Sequence, residues 1–496
     1  MGPRFFLCPH VFKGCADIQI LLQRNLELAS SARHDVVGEH AILASIMSKT
    51  EKASSGYLLN KSFDLSLPDD FELSDEFITG FNAIEKTNKN LYITGEAGTG
   101  KTTLLKYFRQ NTQKNFVVLA PTGIAAINSH GQTIHSFFRF PPKLIQKDHV
   151  KKVHGARSIF ESLELLIVDE ASMMRADLMD GIDLALQINK GRPGKPFGGV
   201  QVVLFGDLFQ LPPIVDREMA AVYNSLYETP YFFSAEVFKK TKFHHFNLQK
   251  IYRQKEQAFK GLLNKIRNRS VTDDEMEILN SRVDPAMCDA AHDCMTLTPT
   301  NAAAHAINMT RLKSLKGEEF CYDAGVEGEF DRSSYPTETE LRLKKGAQVL
   351  MIRNDPEKRW VNGSIGEVVD LDENSVEVRI GNKTHSIEAT TWEKIKYRYD
   401  DDEEKIVEDV VGSFEQLPIK LAWAITIHKS QGLTFDHLII DLDHGAFTHG
   451  QVYVALSRCR SFDGMLLRRP VKHRDIIFDE RIHKIKDHFP ELKAKR

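Results

Sequence analysis

Residues 91–110 read LYITGEAGTGKTTLLKYFRQ: a short apolar run, a glycine-rich loop and a helix-forming stretch in direct succession. The loop from Gly95 to Thr102 fits the spacing G-x-x-x-x-G-K-[ST], and it lies between a strand and a helix, as this pattern requires. Glycines let the backbone fold round phosphate groups, and the loop amides with the helix N-terminus bind negative charge. We therefore predict a phosphate site in which Lys101 neutralises the β- and γ-phosphates of a nucleotide and Thr102 holds Mg²⁺.

Short β-rich runs alternate with helical stretches on both sides of this loop. The first set covers residues 91–94, 116–120, 163–168 and 200–205. A second set covers residues 295–298, 419–427, 437–441 and 464–467. Alternation of this kind predicts two α/β domains, each with a parallel sheet covered by helices. Because ligands of open α/β sheets bind at the carboxyl ends of strands, the polar residues after each run are the candidates for function.

An acidic pair follows one of these runs. The apolar strand Leu165 to Val168 ends in Asp169-Glu170, about 70 residues after the phosphate loop. Asp169 is placed to reach the Mg²⁺ shell, and Glu170 is placed to orient or deprotonate an attacking water. Carboxylates are also common in turns and caps, but together with the phosphate loop this pair indicates nucleotide hydrolysis.

For each of three further polar residues, the sequence allows two possible roles. Gln210 either contacts the γ-phosphate or is a turn residue before Pro212-Pro213. Arg253 and Arg458 lie in or beside the second α/β domain. An arginine that reaches the γ-phosphate from a second domain would make hydrolysis control domain closure. The alternative for each arginine is a surface ion pair.

Charge and cysteine content restrict the class of protein. The 496 residues carry 65 Lys and Arg against 68 Asp and Glu, a net charge of −3, which excludes binding of nucleic acid through bulk charge but permits a local basic groove. No apolar run approaches the ~20 residues that span a bilayer. Six scattered cysteines do not suggest a disulfide framework, so we expect a reduced, intracellular protein. Cys288, His292 and Cys294 are close in sequence, but zinc requires more ligands, and we predict no metal site there.

Residues 320–415 differ from their surroundings, because they alternate with period two and are rich in turns. This pattern predicts a small antiparallel β-barrel inserted in the second α/β domain. Residues 1–65 carry none of this chemistry and predict a helical N-terminal extension. The expected domains are residues 1–65, residues 66–243, residues 244–319 with 416–496, and the insertion 320–415.

Eight motifs occur in one order along residues 70–470: GEAGTGKTT, LAPTGIAA, GQTIHSFF, LLIVDEASMM, FGDLFQLPP, YRQ, WAITIHKSQGLTF and YVALSRCR. In this order they resemble the Pif family of helicases, in the Pif/RecD-like 5′-to-3′ branch of superfamily one. The resemblance implies an α/β fold of two RecA-like parallel-sheet domains, with a small β-barrel inserted in the second and a helical extension at the N-terminus. It places ATP in the cleft and single-stranded DNA across the tops of both domains.

The resemblance also assigns residues to roles. The catalytic residues it implies are Lys101, Asp169, Glu170, Gln210, Arg253 and Arg458. The nucleotide-binding residues are Gly95, Gly98, Thr99, Gly100, Lys101, Thr102, Thr103 and Gln431, with Thr102 and Asp169 on Mg²⁺. The DNA-binding residues are Pro121, Thr122, His135, Phe137, His428 and Lys429. For Phe137 and Phe138, core packing is the alternative, and we expect one of the two to be core.

The expected function is an ATP-dependent 5′-to-3′ DNA helicase with ATP and Mg²⁺ as cofactors. Its partners would be single-stranded DNA and tailed or forked duplex, with no membrane, and one copy would act alone. Two alternatives stay open: a RecD-like subunit active only within a recombination complex, and a nucleotide-gated DNA-binding switch. The expected location is the cytoplasm, with the nucleoid, in a prokaryotic or virus-like source, and the nucleus or mitochondrion in a eukaryote.

Two segments add detail. The family commonly places a glutamine ahead of the phosphate loop to read adenine, where this chain has Phe77. A phenyl ring can pack on a base but cannot read its edge, so we expect a relaxed preference for ATP. Residues 139–160, with five cations between positions 141 and 160, are either a wedge that meets the duplex fork or a solvated helical face.

Overall fold

The computed structural model describes residues 67, 71–215, 217–254, 256–291, 294–357, 359–373, 375–400, 402–485 and 489–490. The described residues all belong to one compact unit, residues 64–496. The predicted N-terminal extension and His292 therefore lie outside the described residues. None of the described helices has the length and apolar character needed to cross a membrane.

The first domain is built on a parallel sheet. Its strands are β1 (Asn90–Gly95), β2 (Phe116–Ala120), β3 (Gln132–Thr133), β4 (Leu165–Val168), β5 (Gln201–Phe205) and β6 (Phe243–Leu248). They pair in parallel in the order β3-β2-β4-β5-β1-β6. Every residue of β4 and β5 is buried, because helices cover both faces of the sheet. The parallel sheet predicted for this half of the chain is confirmed.

Helices connect these strands. They are α1 (Asp75–Glu85), α2 (Lys101–Asn111), α3 (Gly123–Asn128), α4 (Ile134–Phe138), α5 (Arg157–Ser162), α6 (Ala176–Asn189) and α7 (Arg217–Leu226). Hydroxyl side chains begin three of them: Ser74, Thr122 and Thr133 accept hydrogen bonds from backbone N–H groups three residues on. Each such cap satisfies a helix donor that has no partner within the helix.

The second domain begins with three helices and a strand, α8 (Gln257–Arg267), α9 (Asp273–Asn280), α10 (Pro285–Ala290) and β7 (Met295–Thr298), followed by α11 (Asn301–Ser314). The chain then leaves this domain for an antiparallel region. Its strands are β8 (Phe320–Asp323), β9 (Gly325–Gly328), β10 (Glu340–Leu343), β11 (Gln348–Met351), β12 (Ile365–Leu371), β13 (Val376–Ile380), β14 (Lys383–Ile387), β15 (Thr390–Asp400), β16 (Lys405–Gln416) and β17 (Ile419–Leu421).

The antiparallel region forms a five-stranded sheet in the order β14-β13-β12-β11-β17, with smaller sheets β15-β16-β9 and β10-β8. Val349, Met351 and Val368 are fully buried in its core, with Trp360 and Trp423 beside them. Closure of these sheets into a barrel stays a prediction. The chain returns to the second domain through β18 (Ala424–Thr426), β19 (Leu438–Ile440), α12 (Gln451–Leu456) and β20 (Met465–Leu467), and its parallel sheet has the order β18-β7-β19-β20.

The apolar run 419–427 is not one strand. Its first part, β17, pairs antiparallel with β11 of the insertion, whereas β18 pairs in parallel with β7 of the second domain. The expectation of a single strand is wrong here because a continuous apolar run looks the same whichever sheet it joins. We accordingly propose that the insertion extends to Leu421.

The insertion also contacts the first domain. The long hairpin β15–β16 brings the Tyr397 hydroxyl to 3.1 Å from the Val118 backbone nitrogen in β2, from which it accepts. Arg109 of α2 forms an ion pair with Glu408 at 2.9 Å, and both side chains are largely buried. The same guanidinium donates to the carbonyl oxygen of Ser129. The hairpin therefore links the insertion to the first domain.

The end of the chain also packs on the first domain. The Phe489 ring lies 5.3 Å from Phe238 and 5.7 Å from Phe243, measured between centroids, and is 4% exposed. The His245 backbone N–H, in the edge strand β6, donates to the Pro490 carbonyl at 2.9 Å. Residues 489–490 therefore pack on the first domain, and the assignment of residues 416–496 to the second domain stays a prediction.

Phe489→Ala removes this buried ring, and we expect it to lower the free energy of unfolding by about 3–5 kcal/mol, as large buried aromatic truncations do. Thermal and urea unfolding of the variant measure the loss. Phe447→Ala, at a phenylalanine that is 60% exposed, is the control and should leave stability unchanged. Equal stability of Phe489→Ala and the wild type would show that the C-terminal contact is not formed in solution.

Candidate functional site

The phosphate loop joins β1 to α2 and is closely packed. Gly98 and Gly100 both have φ of 86°, in the left-handed region that favours glycine. A Cβ atom on Gly98 would lie 2.5 Å from Cβ of Arg253, and one on Gly100 would lie 2.9 Å from Cζ of Phe77. Backbone conformation and close approach therefore both require glycine at these two positions.

Lys101 begins α2 and lies over the loop. Its ammonium donates to the carbonyl oxygens of Gly95 at 2.7 Å and Glu96 at 3.1 Å. Burial lowers the pKa of this lysine, whereas the charges of Asp207 and Glu170 raise it. The cation thus rests on neutral carbonyl groups of its own loop, which a phosphate would replace with a stronger acceptor.

The predicted acidic pair lies at the carboxyl end of β4. Glu170 has φ of 50° and ψ of 40°, and its N–H donates to Oδ1 of Asp169 at 3.0 Å. Burial raises the pKa of both carboxyl groups, and the Glu170 charge raises that of Asp169 further, whereas Lys101 and Arg458 lower that of Glu170. A divalent cation would offset this repulsion. Asp169 and the exposed hydroxyl of Thr102 fit Mg²⁺, which takes few protein ligands beside substrate phosphates and water.

Arg458 follows α12 and is 1% exposed. Its guanidinium donates to the carbonyls of Val454 at 3.0 Å and Ser430 at 3.4 Å, and to the Ser457 hydroxyl at 2.9 Å. Burial lowers its pKa to about 10. Arg253 donates to the Ser457 carbonyl at 3.3 Å, and burial with the nearby Arg458 charge lowers its pKa to about 9.

Neither arginine forms an ion pair within the part of the chain that the structure describes. Buried charges are ordinarily paired, because desolvation of an unpaired ion is costly. In addition, Nε2 of Gln431 is buried without a hydrogen-bond partner among the described residues. Lys101, the two arginines and this amide suit the phosphates of a nucleotide, so the residues present fit the predicted cofactor.

The second domain reaches the phosphate loop directly. The hydroxyl of Tyr453, in α12, accepts a hydrogen bond from the N–H of Ala97 at 3.1 Å. Gln210 is 7% exposed and its Nε2 donates to Oδ2 of Asp207 at 3.2 Å, while Oδ1 of Asp207 accepts from Arg267 at 3.0 Å. Sequence reasoning missed Tyr453, Asp207 and Arg267. Asp207 follows β5 after one glycine, Gly206, and was open to the same argument as Asp169; Arg267 carries no local signal.

The predicted DNA-binding residues divide into two groups. Pro121 and Thr122 precede α3, and the insertion lies against the next residue, Gly123, where a Cβ atom would be 2.1 Å from Oγ of Ser334. On the second domain, Lys429 is exposed. Burial lowers the pKa of His428, and it also lowers that of His135, with help from Arg175. Both imidazoles are therefore neutral at pH 7 and offer hydrogen bonds rather than charge.

The side chain of Phe137, predicted to bind DNA, is buried. Its ring is 7% exposed and packs against Phe160 at 5.4 Å and Tyr397 at 6.0 Å. Phe138 is also buried, at 2% exposure. Both rings are thus core residues in this conformation, rather than one of them, because the hairpin β15–β16 covers α4. In the segment 139–160, Ile145 and other apolar residues are buried while its lysines are exposed, and its role as a wedge stays a prediction.

Residues 73–277 match the family described as PIF1-like helicase. The ATP-dependent DNA helicase Pif1 of Bdellovibrio bacteriovorus is 31% identical over 409 residues, which cover 80% of this chain and 88% of that protein. The chain belongs to the PIF1-like helicase family. The family membership predicted from the motif order is confirmed. The ATP-dependent DNA helicase PIF1 of Xenopus laevis is 30% identical, and the chain covers 65% of its length.

Solved structures of a Bacteroides member of the family are similar to this chain over most of its length. The unliganded Pif1 is 40% identical with a TM-score of 0.77, over 84% of this chain and 97% of that one. The complex with ADP-AlF4 is 39% identical with a TM-score of 0.78, over 86% and 100%. The complex with single-stranded DNA is 40% identical with a TM-score of 0.62, over 84% and 97%. The α/β fold of parallel-sheet domains is confirmed.

Phe77 tests the nucleotide preference. It is 2% exposed, and its ring packs on Phe71 and Gly100, so it offers the base no hydrogen-bonding group. We expect ADP and GDP to bind the wild type with affinities within about threefold of each other, less than one hydrogen bond would give. Phe77→Gln should favour ADP by up to about tenfold. Competition against a fluorescent nucleotide measures both ratios.

Phe77→Leu is the apolar control, and its ratio should equal that of the wild type. The wild type could instead prefer ADP to GDP by more than about a hundredfold, some 2.7 kcal/mol. Other groups would then recognise adenine, and the expected relaxed nucleotide preference would be wrong.

Proposed function

We propose that this chain is an ATP-dependent DNA helicase that moves 5′-to-3′ along single-stranded DNA and unwinds duplex. The observation that carries the proposal is the pair Arg253 and Arg458. Arg458 is buried and Arg253 is half-buried, and among the described residues their guanidinium groups donate only to carbonyl and hydroxyl oxygens of the second domain. The γ-phosphate of ATP is the anion they lack, so ATP favours a closed cleft and loss of the γ-phosphate favours an open one.

In hydrolysis, a water oxygen bonds to the γ-phosphorus while the bond from that phosphorus to the β,γ-bridging oxygen breaks and ADP leaves. Glu170 accepts the proton of the water; burial raises its pKa, which makes the carboxylate a stronger base, and the charges of Lys101 and Arg458 limit that rise. Lys101, Arg253 and Arg458 stabilise the charge on the transferring phosphoryl group. Thr102 and Asp169 would hold Mg²⁺, which neutralises phosphate charge when bound.

Single-stranded DNA and tailed or forked duplex are the proposed partners. The relative from Bacteroides has been solved with single-stranded DNA, and Lys429, Thr122 and the lysines of residues 143–152 supply exposed donors on this chain. With a net charge of −3, phosphate contacts must be local. We further propose that one copy unwinds DNA, and that the protein works where DNA is: with the nucleoid, or in a nucleus or mitochondrion.

Two assays test the function. We expect single-stranded DNA to raise the ATPase rate on the order of tenfold or more, about 1.4 kcal/mol of barrier. A duplex with a 5′ single-stranded tail should be unwound in preference to one with a 3′ tail, and Lys101→Ala should be inactive in both assays. ATPase activity that DNA does not change would favour a nucleotide-gated switch. Unwinding that needs an added partner would favour a RecD-like subunit.

Arg458→Ala tests whether Arg458 acts on the γ-phosphate. We expect it to lower the DNA-stimulated kcat by about 10³-fold, the effect of losing an arginine that stabilises the transferring phosphoryl group. Steady-state ATPase kinetics give the value. Arg460→Ala is the matched control, because Arg460 lies two residues on, is exposed and pairs with Asp436. If both variants retain wild-type kcat, Arg458 has no part in hydrolysis.

A further inference from the structure

A buried ion pair joins the two domains beside the nucleotide site. Nη2 of Arg267 lies 3.0 Å from Oδ1 of Asp207, and the two side chains are 13% and 0% exposed. Asp207 belongs to residues 206–212, here named the Asp207 loop, which follows β5 of the first domain. Arg267 is the last residue of α8, whose apolar residues lie in the core of the second domain with those of β7. Each partner is therefore anchored in a different parallel-sheet domain.

The second domain encloses the Asp207 loop on several sides. The Arg267 guanidinium lies 3.6 Å from the centroid of the Phe209 ring. His449 Nε2 is 2.9 Å from the carbonyl oxygen of Leu208. At Gly450, where φ is 71°, a Cβ atom would lie 2.5 Å from the carbonyl oxygen of Phe209. These contacts place the loop in a fixed position relative to the second domain.

The pair also determines the orientation of Gln210. Asp207 accepts from Arg267 through Oδ1 and from Gln210 Nε2 through Oδ2, so one carboxylate holds both groups. Burial would raise the pKa of Asp207, but the charges of Arg267 and Lys101 outweigh it and leave the pKa lowered, so the carboxylate is ionised. An ionised carboxylate only accepts hydrogen bonds, which fixes the NH₂ end of the Gln210 amide toward it. The amide oxygen and second N–H of Gln210 then face away from Asp207.

We propose that Arg267 is a positioning residue for nucleotide hydrolysis: through Asp207 it orients the Gln210 amide and ties that orientation to the position of the second domain. The proposal rests on the proposed function, because it assumes that the cleft hydrolyses a nucleotide. Movement of α8 relative to the first sheet shifts Arg267, and with it the carboxylate that holds Gln210. Hydrolysis is then favoured only in one arrangement of the two domains.

Arg267→Gln tests the inference in the full chain with ATP and Mg²⁺. The variant removes the charge of Arg267 and leaves Asp207 without this ion pair. We expect kcat for ATP to fall about 10²-fold, the scale of an ångström-sized misplacement, while KM changes by no more than about threefold, because Gln210 is not needed to bind the nucleotide. Arg269→Gln, at an exposed arginine two residues on, is the control.

The double variant separates positioning from general damage. Asp207→Asn keeps the shape of the side chain but removes its charge, and it should lower kcat to the same extent as Arg267→Gln. Because both changes break the same link, the double variant should be no slower than either single one. Thermal melting shows whether Arg267→Gln folds. If it does not, Asp207→Asn alone tests the inference, because its kcat should fall while its KM stays unchanged.

Three results would overturn the inference: an unchanged kcat, a rise in KM with kcat unaffected, or losses that multiply in the double variant. Each is judged on ATP hydrolysis without DNA. Failure of the wild type to unwind DNA would count against the proposed function, and it would leave this comparison of ATPase rates intact.

Discussion

The guanidinium groups of Arg458, which is buried, and Arg253, which is half-buried, lie at the domain cleft and form no ion pair with a carboxylate of the described residues. The surrounding structure holds them there. An isolated buried ion costs several kcal/mol even after relaxation. Arg458 is tolerated because the carbonyls of α12 and of Ser430 take its donors. Arg253 is tolerated because its backbone is packed against Gly98 and its guanidinium donates to Ser457. The cleft therefore has an intrinsic affinity for anions, and a triphosphate that bridges it brings both domains to one ligand.

The contacts between domains are of two kinds, those beside the nucleotide site and those elsewhere. The hairpin β15–β16 contacts the first domain through the ion pair of Arg109 and Glu408, and Phe489 contacts it through aromatic packing on Phe238 and Phe243; none of these residues belongs to the phosphate loop. The Asp207 loop and the Tyr453 hydroxyl connect the domains beside the nucleotide instead. Only the second kind of contact can respond to the state of the nucleotide, so these contacts are where binding energy can become domain movement.

Sequence reasoning succeeded where the determinants of a feature are contiguous. The strand, loop and helix of residues 91–110 carry their own turn chemistry, and the strand Phe116–Ala120 was placed with its observed bounds. It failed where partners are remote. An apolar run such as 419–427 does not say which sheet it joins, and Arg267 looks like any arginine at a helix end until Asp207, 60 residues away, is placed beside it. Burial of Phe137 also depends on a remote element, the hairpin that carries Tyr397.

One contact can link the nucleotide site to the predicted DNA-binding residues over a short distance. Nη1 of Arg458 donates to the Ser430 carbonyl, in the loop that carries the predicted DNA-binding residues His428 and Lys429. The same loop carries Gln431, whose Nε2 has no hydrogen-bond partner among the described residues. A phosphate that attracts Arg458 competes with that carbonyl for the same N–H groups, and a charged acceptor wins over a neutral one. The Ser430 hydroxyl donates to the Ile427 carbonyl, at the end of β18, and limits how far the loop can follow. Loss of the hydrogen bond between Arg458 and Ser430 would therefore free the loop that positions Lys429. The nucleotide site and this predicted DNA-binding residue are linked through that single contact.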